Sequence, residues 1–329
     1  MKKNILVAGG AGYIGSHMCK YLFKKGFSPV VLDNLMYGHP RAVKWGPLIQ
    51  GDISDSALLD HVFSEYDFAG VMYFAAFINV GESVTDPAKY YQNNVGSAIH
   101  LLEAMQRHGA GNLIFSSSCA VYGEPREIPL TETHPCHPIN PYGRSKLMVE
   151  QILSDFDTAY GMKYTSLRYF NAAGADPDGE LGEDHSPETH LIPLIFQTIL
   201  GKRNMLSVFG NDYPSKDGTC IRDYIHINDL ARAHLLALER LLDGGDSAAY
   251  NLGNGAGYSV KEVIDMAEKV SGKAIPCEIK PRRAGDPPVL IGSAEKAVRE
   301  LGWKPEFPDL ESIMKTAWDW HRTHPEGYR

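Results

Sequence analysis

The chain has 329 residues, 43% hydrophobic and 22% charged, enough for one large or two modest domains with a buried core. Its formal net charge of −8 argues against a nucleic-acid or anionic-membrane partner, and no segment approaches the run of about 18 apolar residues that spans a bilayer. Five cysteines, scattered and without C-x-x-C spacing, suggest neither a disulfide framework nor a bound metal, so a cytoplasmic protein is expected.

Residues 4–8 (NILVA) form a short apolar run that fits a strand buried on both faces. The run leads into Gly9, Gly12 and Gly15. A helix follows, with Ile14, Met18 and Leu22 at fourfold spacing and Gly26 as its stop. Residues 29–32 (PVVL) make a second strand, ending at Asp33. Together these describe a dinucleotide site: glycines for a tight turn and close backbone approach, then a helix N-terminus facing the pyrophosphate. Asp33 sits where an acid accepts hydrogen bonds from the adenosine ribose. It would also repel a 2′-phosphate, and neither Asn34 nor Leu35 offers a compensating cation, so NAD is expected rather than NADP. Arg41 and Lys44, the nearest positive charges, read as surface residues.

Further strands are expected at 46–50, 69–74, 112–116 and 164–168, separated mostly by helical patterns that include a long one near 87–107. Such alternation implies an α/β fold with a doubly wound parallel sheet, whose ligands lie beyond the strand C-termini. That rule selects Asp52 and Ile53, Phe74 to Ala76, and Ser116 to Ser118. Asp52 is placed to reach the adenine. Ala75 and Ala76 suit close backbone approach to a cofactor and suit tight helix–sheet packing equally well. Ser118 can serve a substrate hydroxyl, yet Ser117 or Ser118 can equally satisfy turn backbone groups. No G-x-S-x-G elbow is present, so a serine hydrolase reading fails.

Asn140 suits a helix N-cap and Pro141 the first helical position, which puts Tyr142 and Lys146 at i and i+4 on one face. An ammonium beside a phenol favours the phenolate, and a tyrosine drawn toward neutrality can act as a general base on a hydroxyl. Spacing alone describes a solvated helix face just as well. Beyond Asn171 the alternation thins into shorter elements with many prolines, suited to a smaller C-terminal α/β substrate domain. The expected division is 1–171, a dinucleotide-binding domain, and 172–329, with segments free to cross back.

The glycine spacing G-x-x-G-x-x-G with Y-x-x-x-K downstream resembles the extended branch of the short-chain dehydrogenase/reductase superfamily. Within it, Ser116-Ser117-Ser118-Cys119-Ala120-Val121-Tyr122-Gly123, Pro141 to Lys146, Leu167 to Asn171, Arg222-Asp223-Tyr224-Ile225-His226 and Arg282-Arg283-Ala284-Gly285-Asp286 are similar to the family of UDP-glucose 4-epimerases. The likeness runs over nearly the whole chain. It implies reversible C4 epimerisation of UDP-glucose and UDP-galactose through a 4-keto sugar, with tightly bound NAD. It also implies a homodimer formed through the helices near 87–107 and 141–157. By the same resemblance NAD is held by Gly9, Gly12, Tyr13, Ile14, Gly15, Asp33, Asn34, Asp52, Ile53, Phe74, Ala75, Ala76, Asn93, Ser116, Lys146 and Tyr169. Ser118, Tyr142 and Lys146 form the catalytic trio. Ser118, Tyr142, Asn171, His190, Leu191, Phe209, Arg222, Tyr224, Arg283, Asp286 and Leu290 surround the UDP-sugar. Arg222 and Arg283 suit its phosphates, since guanidinium forks match phosphate oxygens. Phe209 and Tyr224 fit a uracil or ribose contact and a core position alike.

The related sugar dehydratases carry an acidic pair after the serine run, where Cys119 and Ala120 stand here, and this favours epimerisation without elimination. Three departures leave the sugar open. Leu290 replaces a bulky tyrosine that limits N-acetylated sugars, His190 replaces a common asparagine, and Ile78 a common lysine. UDP-GlcNAc/GalNAc or UDP-xylose/arabinose interconversion is the alternative. A non-catalytic NAD-sensing protein is disfavoured, because such proteins usually lose the Tyr/Lys pair.

Overall fold

The structure, a computed structural model, describes residues 2–283 and 287–329. The first half alternates as β1 (Asn4–Ala8), α1 (Tyr13–Lys24), β2 (Ser28–Asp33), β3 (Leu48–Gln50), α2 (Ser56–Glu65) and β4 (Phe68–Tyr73). It continues with α3 (Val80–Thr85), α4 (Pro87–Tyr90), a π-helical turn at Tyr91–Gly96, α5 (Ser97–His108), β5 (Asn112–Ser116), α6 (Pro141–Tyr160) and β6 (Lys163–Tyr169). Then come β7 (Asn171–Ala173), α7 (Leu191–Ile199), β8 (Leu206–Phe209), β9 (Ile221–Arg222), β10 (Tyr224–His226), α8 (Ile227–Leu242) and β11 (Ala248–Leu252). The chain closes with β12 (Tyr258–Ser259), α9 (Val260–Ser271), β13 (Cys277–Lys280), β14 (Val289–Leu290), α10 (Glu295–Leu301) and α11 (Leu310–Thr323).

Seven strands make one parallel sheet in the order β11-β6-β5-β4-β1-β2-β3. This is the doubly wound sheet expected from the sequence. Both faces of each central strand are covered, which is why they read as unbroken apolar runs. In β1, Ile5 and Val7 pack with α1 and α8 through Met18, Leu22, Leu230 and Leu238. Leu6 and Ala8 face the opposite layer of α2, α5 and α6 with Leu59, Leu101 and Val149. Chain order reverses between β1 and β4, so the crevice for a ligand lies at the carboxyl ends of those two strands.

Two elements from beyond residue 171 return to this sheet. The edge strand β11 pairs with β6, and α8 shares a core with α1. The remainder packs as a second body in which α7, α9 and α11 meet around Ile195, Phe196, Val263 and Ile313. Three small sheets accompany it, β10-β7, β12-β9-β14 and β13-β8. Among the described residues no helix is long and apolar enough to cross a membrane.

The helix expected near 87–107 is a run of α4, the π-helical turn and α5, broken by one extra residue per turn where Asn93 and Asn94 sit. The start of α6 follows the sequence reading closely. Asn140 accepts the Gly143 N–H at 2.8 Å and Pro141 occupies the first helical position.

Candidate active site

The carboxyl ends of β1, β2 and β4 open onto one cleft, lined by Gly9, Gly12, Asp33, Asn34, Asp52, Ile53, Phe74, Ala75, Ala76 and Asn93. The backbone of Gly9 is left-handed, at φ 82°, and a Cβ there would stand 2.6 Å from the Ala75 amide nitrogen. A Cβ on Gly15 would meet the Gly9 carbonyl oxygen at 2.2 Å. The loop is therefore folded tightly against both α1 and the Phe74–Ala75 turn, and the first-turn N–H groups of Tyr13 and Ile14 have no partner inside the helix. Asp33 is buried. Its Oδ2 accepts the Ala11 N–H at 2.9 Å and its Oδ1 the Leu35 N–H at 2.8 Å. Burial raises its carboxyl above the ordinary value while those two bonds work downward. Lone pairs remain for a further donor such as a ribose hydroxyl. Asp52 is held below its usual value, the hydrogen bonds from Ser54 and Asn34 outweighing burial. Lys44 gives its ammonium to the Glu180 carbonyl, so it does not compensate Asp33.

Tyr13 turns its ring away from the cleft, and its hydroxyl donates to the Gly174 carbonyl at 2.7 Å. What Tyr13 and Ile14 offer a dinucleotide is backbone, since Ile14 packs on the core. Ala75 both lines the cleft and packs into the core, so approach and packing are one requirement.

Next to the cleft, Lys146 is buried and donates to the Ser116 carbonyl at 2.7 Å, with its ammonium 5.9 Å from the centre of the Tyr142 ring. Ser116 and Tyr169 share a short hydrogen bond through their hydroxyls. The charge state of Tyr142 differs from the simple expectation. Burial pushes the phenol up to about 12, with a hydrogen bond from Ser118 working downward. Burial likewise pushes Lys146 down to about 7, opposed by Glu150. For both groups desolvation is the largest cause.

The two serines left undecided by the sequence part ways. Ser117 donates to Glu150 at 2.5 Å, and Glu150 is paired with Arg168, which also holds the Tyr122 hydroxyl. Ser118 is the one that reaches Tyr142. A Cβ on Gly143 would collide with the Ala120 carbonyl at 2.4 Å, so this glycine lets α6 lie directly on the serine turn. The sequence reading missed Asn94. Its side chain takes the Phe77 N–H at 2.9 Å, gives to the Phe77 carbonyl, and gives to Ser145, which bonds the Tyr142 carbonyl. Ser83 completes the frame by accepting the Tyr142 N–H. The signal was present only as the Asn93-Asn94 doublet inside an otherwise helical pattern.

On the substrate side, Arg222 lies in β9 between Tyr258 and Leu290, and its charge is felt by Cys119. Burial pushes the Cys119 thiol up to about 12, so it stays protonated. Leu290 packs beside Val121, Tyr122 and Phe170. The Arg283 guanidinium covers the Phe209 ring at 4.1 Å. Tyr224 belongs to the second core, and Asn171 donates to the Asp223 carbonyl at 2.8 Å. Leu191 opens α7, while His190 is turned to Glu183. Ile78 is exposed. Asp286 lies outside the described residues. Asp223, also missed, is fully buried and accepts N–H groups of Asn254, Gly255 and Gly292, which fixes the strand that presents Arg222.

The model of the NAD dependent epimerase/dehydratase family matches residues 5–253. A UDP-glucose 4-epimerase of Lacticaseibacillus casei is 53% identical over 325 residues, 98% of each chain. The structure of UDP-glucose 4-epimerase from Brucella ovis in complex with NAD superposes with a TM-score of 0.94 at 51% identity, covering 96% of this chain and 97% of that one. The enzyme of the same name from Stenotrophomonas maltophila, solved with bound NAD and formylated UDP-arabinopyranose, gives 0.95 at 41% identity, covering 98% and 99%.

Proposed function

The chain belongs to the NAD dependent epimerase/dehydratase family, and from that premise we propose that it interconverts UDP-glucose and UDP-galactose by inverting C4 of the hexose through a transient 4-keto sugar. It is an isomerase whose cofactor is NAD. The observation that carries this reading is the meeting of Tyr142 and Ser118 in a buried site beside the nucleotide cleft, with Lys146 on the same helix face.

Bound NAD supplies the hydride acceptor and a positively charged ring. Tyr142 takes the proton of the 4-hydroxyl and later returns it. Ser118 bonds the same oxygen and keeps it in line with the phenol. Burial alone leaves the phenol high, so the positive charge of Lys146, anchored on the Ser116 carbonyl, and that of the ring of bound NAD would together have to draw it toward the phenolate. Gly9, Gly12, Gly15 and the N–H groups of Tyr13 and Ile14 receive the pyrophosphate. Asp33 and Asn34 take the adenosine ribose, Asp52 and Ile53 the adenine, and Phe74 to Ala76, Asn93, Ser116 and Tyr169 the nicotinamide side. Arg222 and Arg283 neutralise the two phosphates of UDP. Phe209 contacts its nucleoside, and Asn171 and Leu191 complete the pocket, whereas Tyr224 belongs to the second core and His190 is engaged by Glu183. Holding the nucleotide firmly leaves the hexose free to turn over, so binding energy comes from the part that does not react. A Cys119 thiol that stays protonated offers no base for elimination, which sets this site apart from a dehydratase.

A second reading is the same inversion on another UDP-sugar: Leu290 in place of a bulkier residue favours UDP-GlcNAc/GalNAc, and the formylated UDP-arabinopyranose in the Stenotrophomonas relative favours UDP-xylose/arabinose. Purified protein given UDP-glucose, UDP-GlcNAc or UDP-xylose without added NAD separates these readings. Interconversion of the glucose and galactose forms, with no net build-up of reduced nicotinamide, is expected. Build-up of NADH in proportion to substrate would make the protein a dehydrogenase instead. On the epimerase reading the chain divides at 171, with α8 and β11 crossing back, and a second core distinct from the sheet supports nucleotide and sugar being held by separate bodies. The protein is taken as a cytoplasmic homodimer, and exposed Ile99 and Met148 support an interface through α5 and α6. A monomer in sedimentation velocity would rule that interface out.

A further inference from the structure

The loop before α7 repeats one pattern, Glu-x-His, at Glu183-Asp184-His185 and again at Glu188-Thr189-His190. One ligand-type atom from each of these four residues lies within 4.8 Å of the other three. The Glu183 and Glu188 side chains are only 4% and 3% exposed. Two carboxylates taken out of water side by side repel one another unless a positive group is placed between them. Among the described residues their ion-pair partners are His185 and His190.

The distances distinguish a proton-filled cluster from a ligand set. His185 Nδ1 is buried, stands 3.5 Å from an oxygen of each glutamate, and makes no hydrogen bond within the described residues. That spacing is too long for a hydrogen bond. It does match the edge of a tetrahedron around zinc, where ligands at about 2.0–2.2 Å from the metal lie about 3.4 Å from each other. His190 Nδ1 and Glu183 Oε1 are closer, at 2.5 Å, and they share a proton. A metal taking the place of that proton would part them by roughly 1 Å. The second oxygen of the set is already oriented, because Glu188 Oε1 accepts the N–H groups of Thr189 and His190 at 2.8 and 2.9 Å and so fixes its carboxylate. The other such group among the described residues, Asp176, Asp178 and Glu180, differs in this respect. The Lys20 ammonium stands 2.5, 2.8 and 2.6 Å from its three carboxylates and answers them.

We propose that Glu183, His185, Glu188 and His190 bind a divalent transition cation, zinc being the one whose preference for four nitrogen and oxygen ligands fits two imidazoles and two carboxylates. The cation acts as a fastener and takes no part in the reaction. Asp184, between the first two ligands, accepts the Tyr328 N–H at 3.0 Å, and the His185 ring meets the Tyr13 ring edge-on at the start of α1. The metal therefore ties the C-terminal tail and the head of α1 to the start of α7.

The test uses the full-length protein stripped by a chelator, desalted, reloaded with zinc chloride and desalted again. About one zinc retained per chain is expected, with a melting temperature that falls on stripping and recovers on reloading. His185→Ala and Glu188→Gln should each lose the retained zinc. Wild-type protein that keeps no stoichiometric zinc and melts alike in every state would overturn the proposal, leaving histidine protons as the whole answer. So would folded variants that retain zinc like the wild type. Should the variants not fold, the wild-type stripping and reloading still decides.

Discussion

Replacing Tyr142 by phenylalanine removes one oxygen from a ring that stays packed between Ser118 and Lys146. Turnover is expected to fall by roughly 10²–10⁴, the usual contribution of a positioned acid–base group, while UDP affinity in calorimetry stays near wild type. A variant with wild-type turnover would remove Tyr142 from the proton-handling role. Gly15→Ala acts elsewhere. Its methyl group would stand 2.2 Å from the Gly9 carbonyl oxygen, so the loop must shift away from the cleft. The purified variant should carry much less NAD, measured as the absorbance released on denaturation, and unchanged cofactor content would contradict the proposed pyrophosphate site. Both residues were legible in the sequence because their signals are local: a glycine spacing and an i, i+4 pair. The choice between Ser117 and Ser118 was not. Adjacent residues past a strand end leave in different directions, and only Glu150, far along the chain on α6, reveals which one is engaged in structure.

The run of α4, π-turn and α5 holds the proposed site in shape. Asn94 on that turn bonds both backbone groups of Phe77 and reaches α6 through Ser145. Asn94→Ala leaves the buried Phe77 N–H and carbonyl without these partners, a cost of about 1–3 kcal/mol. The denaturant midpoint should drop accordingly, and turnover should fall further than the midpoint alone explains, because α6 carries Tyr142. An unchanged midpoint would mean that water or a shifted backbone replaces the side chain. The π-turn itself could not be read from the chain. One inserted residue barely perturbs an apolar pattern of helical period, whereas the bonds that stabilise it are tertiary. The same holds for β11, whose five residues look like any short strand until β6 offers its free edge.

At the scale of the whole molecule, burial of ionisable rings sets how stability changes with pH. His17 on α1 and His234 on α8 each give Nδ1 to the carbonyl four residues back, and each keeps a buried Nε2 with no partner within the described residues. Burial lowers both to about 4, with the Tyr13 carbonyl and Asp176 opposing at His17 and the Leu230 carbonyl opposing at His234. His226, between β10 and α8, accepts the Asn228 N–H on Nδ1, and burial with the neighbouring His17 lowers it to about 3. All three therefore bind protons less readily folded than unfolded, where a histidine titrates near 6.5. Above that pH both states are neutral and the stability is complete. Below it the unfolded chain takes up protons that the folded chain refuses, and each ring removes up to about 1.4 kcal/mol per pH unit until its folded value is reached. Carboxylate pairs act lower down: Asp178, held at about 2 by Lys20 and Lys24, loses its contribution only below the ordinary aspartate range. Urea midpoints should thus fall steadily from pH 7 to about 5, in a window that belongs to the histidines. His234→Gln should flatten that slope by removing one contributor, His321 being a fourth ring that burial lowers to about 4, whereas a midpoint constant across this range would mean that the buried rings take up protons in the folded state as easily as in the unfolded one.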